Sequence, residues 1–134
     1  MNKEKFIVEY DLKSVSPTLL WSYIGTKNGL ADWFADDVQN EEKLFTFFWN
    51  KSSQQAHQIA VRSGSYIRFH WSDDEDEKSF FELRISSSEL TGATMLVITD
   101  FAYPDEMADS RDLWDHQIET LRRKSVSYTH LTLP

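Results

Sequence analysis

Two adjacent carboxylates, Asp36 and Asp37, follow directly on Trp33-Phe34 and have the side chains of a general acid and base pair. Neighbouring carboxylates on a strand or turn usually point apart, however, and Asp is common where helices end and turns begin, so a turn or capping role is the simpler reading. The run Asp73-Asp-Glu-Asp-Glu77 offers oxygen ligands of the kind a hard cation such as calcium accepts. Its spacing is not that of a calcium loop and it lacks the glycine of the sharp turn. A solvated hairpin tip that discourages edge-to-edge pairing accounts for it. His57, His70 and His116 fall on different elements without ligand spacing, so no metal is expected. At the border of a helical stripe, His116 has a place where a pH-sensitive rim group could sit, but a structural or surface role is the simpler reading for all three histidines. There is no cysteine, which removes thiolate nucleophiles, disulfides and cysteine-based zinc together. No Gly-x-Ser-x-Gly elbow and no glycine-rich phosphate cradle occur, so these residues imply neither a catalytic set nor a cofactor.

The remaining chemistry is aromatic. Phe45, Phe47 and Trp49 share one strand face, which Phe69 with Trp71, and Phe81 with Leu83 and Ile85, can continue across a sheet. Rings recur in Gly29-Leu-Ala-Asp-Trp-Phe-Ala-Asp-Asp-Val38 and in Leu113-Trp-Asp-His-Gln-Ile118. Such a set builds either an aromatic core or the wall of a ligand cavity. Trp33 and Phe34 either cap the mouth of that cavity or anchor a small helix to the sheet.

The elements that must position these rings are legible from periodicity. Phe6, Val8, Tyr10 and Leu12 alternate with Ile7, Glu9 and Asp11 as in a half-buried strand. Ser16-Pro17 is a helix start, Leu19, Leu20, Tyr23 and Ile24 form its apolar stripe, and Gly25 is expected as a left-handed stop. A second short helix is predicted from Lys27 to Phe34. From Lys43 the period becomes two, predicting strands at Leu44–Asn50, Gln55–Arg62, Tyr66–Trp71, Phe80–Ser86 and Thr94–Phe101. After Pro104, residues Met107, Ser110, Leu113, Trp114, Gln117, Ile118 and Leu121 return to helical spacing. Strand, two short helices, five-strand antiparallel meander and long terminal helix make an α+β plan: a strongly curved sheet gripping a helix.

A net charge of −8 repels phosphate backbones and anionic membrane surfaces, so nucleic acid and membrane are not expected partners. Arg122-Arg-Lys124, the densest basic group, suits a helix carboxyl end. No signal-peptide pattern opens the sequence, and no run of about 18 apolar residues is present. A cytoplasmic address is the expectation. The codons GTC TCT TAT ACA CAT CTG ACG CTG CCG, the end sequence of a transposase sequencing adapter, encode Val126-Ser-Tyr-Thr-His-Leu-Thr-Leu-Pro134 in order. The expectation is therefore one domain over residues 1–125, with 126–134 a translated adapter outside the fold. A genomic reading frame running through His130 without an adapter junction would restore the tail.

The chain resembles START-like domains of the helix-grip (SRPBCC) superfamily, which includes birch-pollen-allergen-like proteins, polyketide cyclases and activators of the ninety-kilodalton heat-shock chaperone. It is similar in particular to a group of bacterial START-like proteins. The resemblance lies in Trp21-Ser-Tyr-Ile-Gly25, the Gly29–Val38 block, Phe45-Thr-Phe-Phe-Trp49, Leu90-Thr-Gly92, Ile98-Thr-Asp-Phe101 and Leu113-Trp-Asp-His-Gln-Ile-Glu-Thr-Leu121. It implies a cavity between sheet and terminal helix, often holding an apolar small molecule, and carries over no catalytic set.

The leading expectation is thus a non-enzymatic module binding a small, mostly apolar ligand. Phe47, Trp49, Phe69, Phe81, Trp114 and Ile118 form the expected wall, with Trp33 and Phe34 at the mouth. A protein-interaction module like the chaperone-activator branch is the alternative. A cyclase or aromatase would need a polar pair inside the cavity, whereas alternation puts Thr46, Arg68, His70, Glu82 and Arg84 on the opposite face unless a bulge reverses the register.

Overall fold

In the computed structural model the described residues are 2–12 and 15–132, with side chains through residue 125. The alternating Phe6, Val8 and Tyr10 form β1 (Glu4–Asp11) and point to its inner face. Ser16 Oγ accepts a hydrogen bond from the Leu19 amide at 3.1 Å, and Pro17 occupies the first turn of α1 (Pro17–Ile24). The helix stops at Gly25 with φ of −102°, not in the left-handed conformation expected there. Glycine is needed at that stop for another reason: a Cβ would run into the Trp21 indole. Thr26 then caps α2 (Lys27–Trp33), its Oγ1 accepting from the Gly29 amide at 3.0 Å. At Gly29 a Cβ would meet the Ser22 carbonyl and the Tyr23 Cα, so the two helices meet backbone to backbone.

Six strands follow where the sequence predicts five. They are β2 (Asp37–Glu41), β3 (Leu44–Trp49), β4 (Ser52–Arg62), β5 (Tyr66–Trp71), β6 (Phe81–Ser87) and β7 (Thr94–Ala102). The additional strand, β2, carries one inward apolar residue, Val38, opposite Phe47, and its other residues are exposed. Edge strands tolerate that polarity, and it hid β2 from a hydrophobic-period reading. The β2–β3 turn hid as well, because Glu42 takes the left-handed conformation, φ 55°, that Asn or Gly ordinarily supplies. All seven strands pair antiparallel in the order β1-β7-β6-β5-β4-β3-β2.

A bulge in β4 between Gln58 and Ala60 is the one register shift in the sheet's pairings. It leaves β5 and β6 in unbroken alternation, so Arg68, Glu82 and Arg84 do fall on the outer face. There Glu82 accepts from Arg68 Nη2 at 2.8 Å and from Arg84 Nε at 3.0 Å. Each guanidinium lies over a ring, Arg68 over Phe80 at 4.2 Å and Arg84 over Tyr66 at 4.1 Å. Burial works against the Glu82 charge, but the two arginines outweigh it and hold the carboxyl below its ordinary value.

A 3-10 turn at Pro104–Glu106 opens the terminal helix α3 (Met107–Thr132). Of its predicted stripe, Trp114, Ile118 and Leu121 are buried, while Leu113 is 61% exposed. Tyr10 donates to Asp115 at 2.6 Å and Arg122 donates to the Asp11 carbonyl at 3.3 Å, fixing α3 to β1. Tyr23 donates to the Lys124 carbonyl at 3.3 Å and fixes it to α1. The result is the helix-grip arrangement, an α+β fold whose core lies between the inner sheet face and the helices. Fully buried residues such as Phe47, Phe69, Leu83, Ile98, Ile118 and Leu121 contribute roughly 1.5–3 kcal/mol each. The expected adapter origin of residues 126–134 falls on residues whose side chains lie outside the described ones.

Candidate functional site

Phe34 lies one residue beyond the last turn of α2, where the chain leaves the helix for β2, and its ring enters the space between sheet and α3. It stacks on Phe81 at 5.6 Å and on Trp114 at 5.7 Å, and meets Phe47 and Trp49 edge-on at 5.1 and 5.9 Å. Its carbonyl accepts from Trp49 Nε1 at 3.1 Å and from Gln117 Nε2 at 3.2 Å. One residue thereby ties α2, β3 and α3 together. Offset and edge-on ring contacts of this kind add about 0.5–1.5 kcal/mol per pair beyond burial.

Beside Phe34 remains a cavity of about 240 Å³, lined by Trp49, Gln54, Trp71, Phe81, Asp100, Ser110, Leu113, Trp114 and Gln117. The exposed Gln54 and Leu113 mark its outer edge. Of the residues expected as wall, Trp49, Phe81 and Trp114 line this space, Phe81 at only 1% exposure, whereas Phe47, Phe69 and Ile118 lie outside the lining. Phe34, expected at the mouth, lines the cavity as well. Trp33, expected beside it, is buried between the two short helices and donates its Nε1–H to the Tyr23 carbonyl at 2.9 Å.

Asp100 is the one ionisable group in this lining, and the sequence reading passes over it. Its neighbours Leu96 and Ile98 point inward, so the period of two puts a carboxylate on the apolar face. That mismatch was available in the sequence. Asp100 Oδ2 accepts from Trp114 Nε1 at 2.8 Å and Oδ1 from the Phe101 amide at 2.7 Å. Burial pushes its pKa up to about 6, against the opposing pull of these two hydrogen bonds. Gln54 escaped notice because β4 begins at Ser52, ahead of the predicted strand.

The other candidates lie elsewhere. Asp36 and Asp37 are exposed; Asp37 Oδ1 accepts from the Val38 amide at 2.9 Å, and the Asp36 amide donates to the Phe48 carbonyl at 2.8 Å. His57 and His116 are exposed, and His70 Nδ1 lies 2.8 Å from the Ser79 carbonyl oxygen. Among the described residues no group of three His, Asp or Glu is placed to hold a metal ion, and no helix is long and apolar enough to cross a membrane.

Within the acidic run, Asp74 is half-buried and accepts from Lys3 Nζ at 2.8 Å, from the Ser79 hydroxyl and from the Asp76 amide. Burial raises the Asp74 pKa, but these three donors outweigh it and leave the carboxyl below its ordinary value. The loop borders the site: a surface depression formed by Lys3, Asp73, Asp74, Glu75 and Tyr103 shares Gln54 and Trp71 with the cavity lining.

Comparison with known proteins places this geometry in context. A family model described as a START-like superfamily domain matches residues 1–126. A Bacteroides fragilis protein solved by NMR in solution is 48% identical over 92% of each chain, with a TM-score of 0.65. The Aha1 dimer from Colwellia psychrerythraea has a TM-score of 0.74 at 14% identity, covering 91% of this chain and 96% of that one. DynU16, a protein of the dynemicin biosynthetic locus, has a TM-score of 0.73 at 14% identity over 89% of this chain and 46% of its own. The latter two show the fold alone. Comparison with curated proteins found no match.

Proposed function

The chain belongs to the START-like superfamily, and from that premise we propose that it is a binding module for a small, mostly apolar molecule held between the sheet and α3. The observation that carries this reading is the cavity beside Phe34, with Trp49, Trp71, Phe81 and Trp114 in its lining. Covering such surface stabilises a complex by about 25 cal/mol per Å² removed from water. A volume of about 240 Å³ is slightly below the usual span of roughly 300–1,000 Å³ for small-molecule sites, which suits a ligand of one or two rings.

Non-enzymatic binding is the simpler chemistry here. The charged cluster Arg68, Glu82 and Arg84 lies on the outer face, and the cavity presents a single ionisable group beside neutral Gln54, Ser110 and Gln117. The test is native mass spectrometry of the purified protein after incubation with an extract of its source cells. A retained small molecule that is displaced by an aromatic competitor supports the reading. Retention of nothing at saturating extract contradicts it.

A further inference from the structure

We propose that the ligand carries one positive charge on an aromatic or branched alkyl body, an organic ammonium whose charge faces Asp100 within a box of tryptophans. The inference rests on the binding-module reading and adds the ligand's chemical class.

The lining supports it in two ways. First, Trp49, Trp71 and Trp114 with Phe34 and Phe81 line a volume of about 240 Å³, and tryptophan is the strongest ring partner for a cation. A neutral apolar ligand would be served equally well by leucine and valine walls. Second, the charge inside this ring box is a carboxylate, on a strand whose inward neighbours Leu96 and Ile98 are apolar. Keeping a carboxylate in such a place is costly unless a positive partner meets it. Trp114 and the Phe101 amide supply hydrogen bonds but no charge, and Lys3, whose charge also acts on Asp100, is bonded to Asp74 rather than to Asp100. A cationic ligand would supply the charge.

The approach to the cavity fits the same sign. Asp73, Asp74 and Glu75 lie in the depression that shares Gln54 and Trp71 with the lining. The acidic run that the sequence explains as a solvated tip is therefore placed to raise the local concentration of cations at the entrance. Lys3 is the opposing charge, and it is held by Asp74 at 2.8 Å and lies over Tyr103 at 5.5 Å. From α3 the lining residues are Ser110, Leu113, Trp114 and Gln117, none of them charged, and the nearby Arg111 lies over the Phe6 ring at 5.1 Å.

The test is a matched pair of probes with one shape and different charge, phenyltrimethylammonium and tert-butylbenzene. Each is titrated into the full chain while the tryptophan indole N–H resonances are followed by NMR. The expected result is at least about tenfold tighter binding of the cation, with the preference lost in Asp100→Asn, which retains an acceptor for Trp114. The amide spectrum of the variant reports whether it folds. Should it not fold, wild-type titrations at pH 5 and 7 replace it: cation affinity is expected to rise between these values, as Asp100 ionises with a pKa of about 6, while the neutral probe's affinity stays level. Equal binding of the two probes, or preference for the neutral one, overturns the cationic inference and leaves the binding module standing. A cation preference that survives both Asp100→Asn and the drop to pH 5 overturns the role of Asp100. Binding of neither probe overturns the inference and the reading beneath it.

Discussion

Trp114 donates its indole N–H to Asp100 Oδ2 at 2.8 Å, joining the terminal helix to the C-terminal end of β7 beside the cavity. The bond, like that from the Phe101 amide, gives a half-buried carboxylate a partner without neutralising it. The folded-state pKa of Asp100, about 6, lies above the ordinary 3.8, so between these values the folded chain binds more protons than the unfolded one. Its contribution to stability is therefore greatest below about pH 4 and falls as pH rises through 6. Asp100→Asn is expected to stabilise the ligand-free protein at pH 7, by up to about 3 kcal/mol, and to have little effect at pH 4. Urea unfolding of both chains at the two pH values checks it. A variant less stable at pH 7 than at pH 4, relative to wild type, contradicts the assigned burial cost.

Phe34→Ala removes a ring that packs on Phe47, Trp49, Phe81 and Trp114. The expected cost is about 3–5 kcal/mol, with the vacated space joined to the existing cavity. Denaturant unfolding gives the cost, and xenon-induced chemical shifts report the enlarged space. A loss below about 1 kcal/mol would show that the ring is not the central packing element.

On the outer face, Glu82→Ala leaves Arg68 and Arg84 side by side without their shared carboxylate. Both guanidinium groups reach solvent, with side chains 34% and 39% exposed, so the expected loss of about 1–3 kcal/mol is smaller than for a fully buried pair. Because the carboxyl is held below its ordinary value, its stabilisation is present at neutral pH and is lost as pH falls through the folded-state value. The difference between Glu82→Ala and wild type should accordingly shrink on acidification, a sign opposite to that of Asp100.

Gly29→Ala tests the corner that carries Phe34. A Cβ there meets the Ser22 carbonyl and the Tyr23 Cα, backbone atoms that yield only if the two short helices separate. A loss of about 3 kcal/mol or more is expected from thermal or denaturant unfolding. Gly64→Ala is the contrast, since a Cβ there meets nothing within 4 Å and the strain comes from φ of +79° alone.

Helix caps and strand faces were legible because each rests on local chemistry. Ser16 caps where its side chain predicts, and the alternation of Phe45, Phe47 and Trp49 put all three rings inside. What escaped depended on tertiary context. Val38 gives β2 too little apolar content to announce a strand, and Glu42 turns the chain without Asn or Gly. The site was legible as a class of side chains more than as positions. Nothing local distinguishes Phe47 and Phe69, sealed at 0% exposure, from Trp49 and Trp71 on the cavity surface, because that depends on where the Phe34 ring enters. Asp100 was the exception, a carboxylate in phase with Leu96 and Ile98.

The most direct measurement is an NMR titration of the five tryptophan indole N–H resonances with a neutral aromatic probe such as toluene. Binding in the cavity between the sheet and α3 predicts one saturable site that moves Trp49, Trp71 and Trp114, with Trp21 and Trp33, which lie outside the lining, responding least. Absence of saturable shifts, or shifts confined to Trp21 and Trp33, would contradict a ligand cavity in this fold.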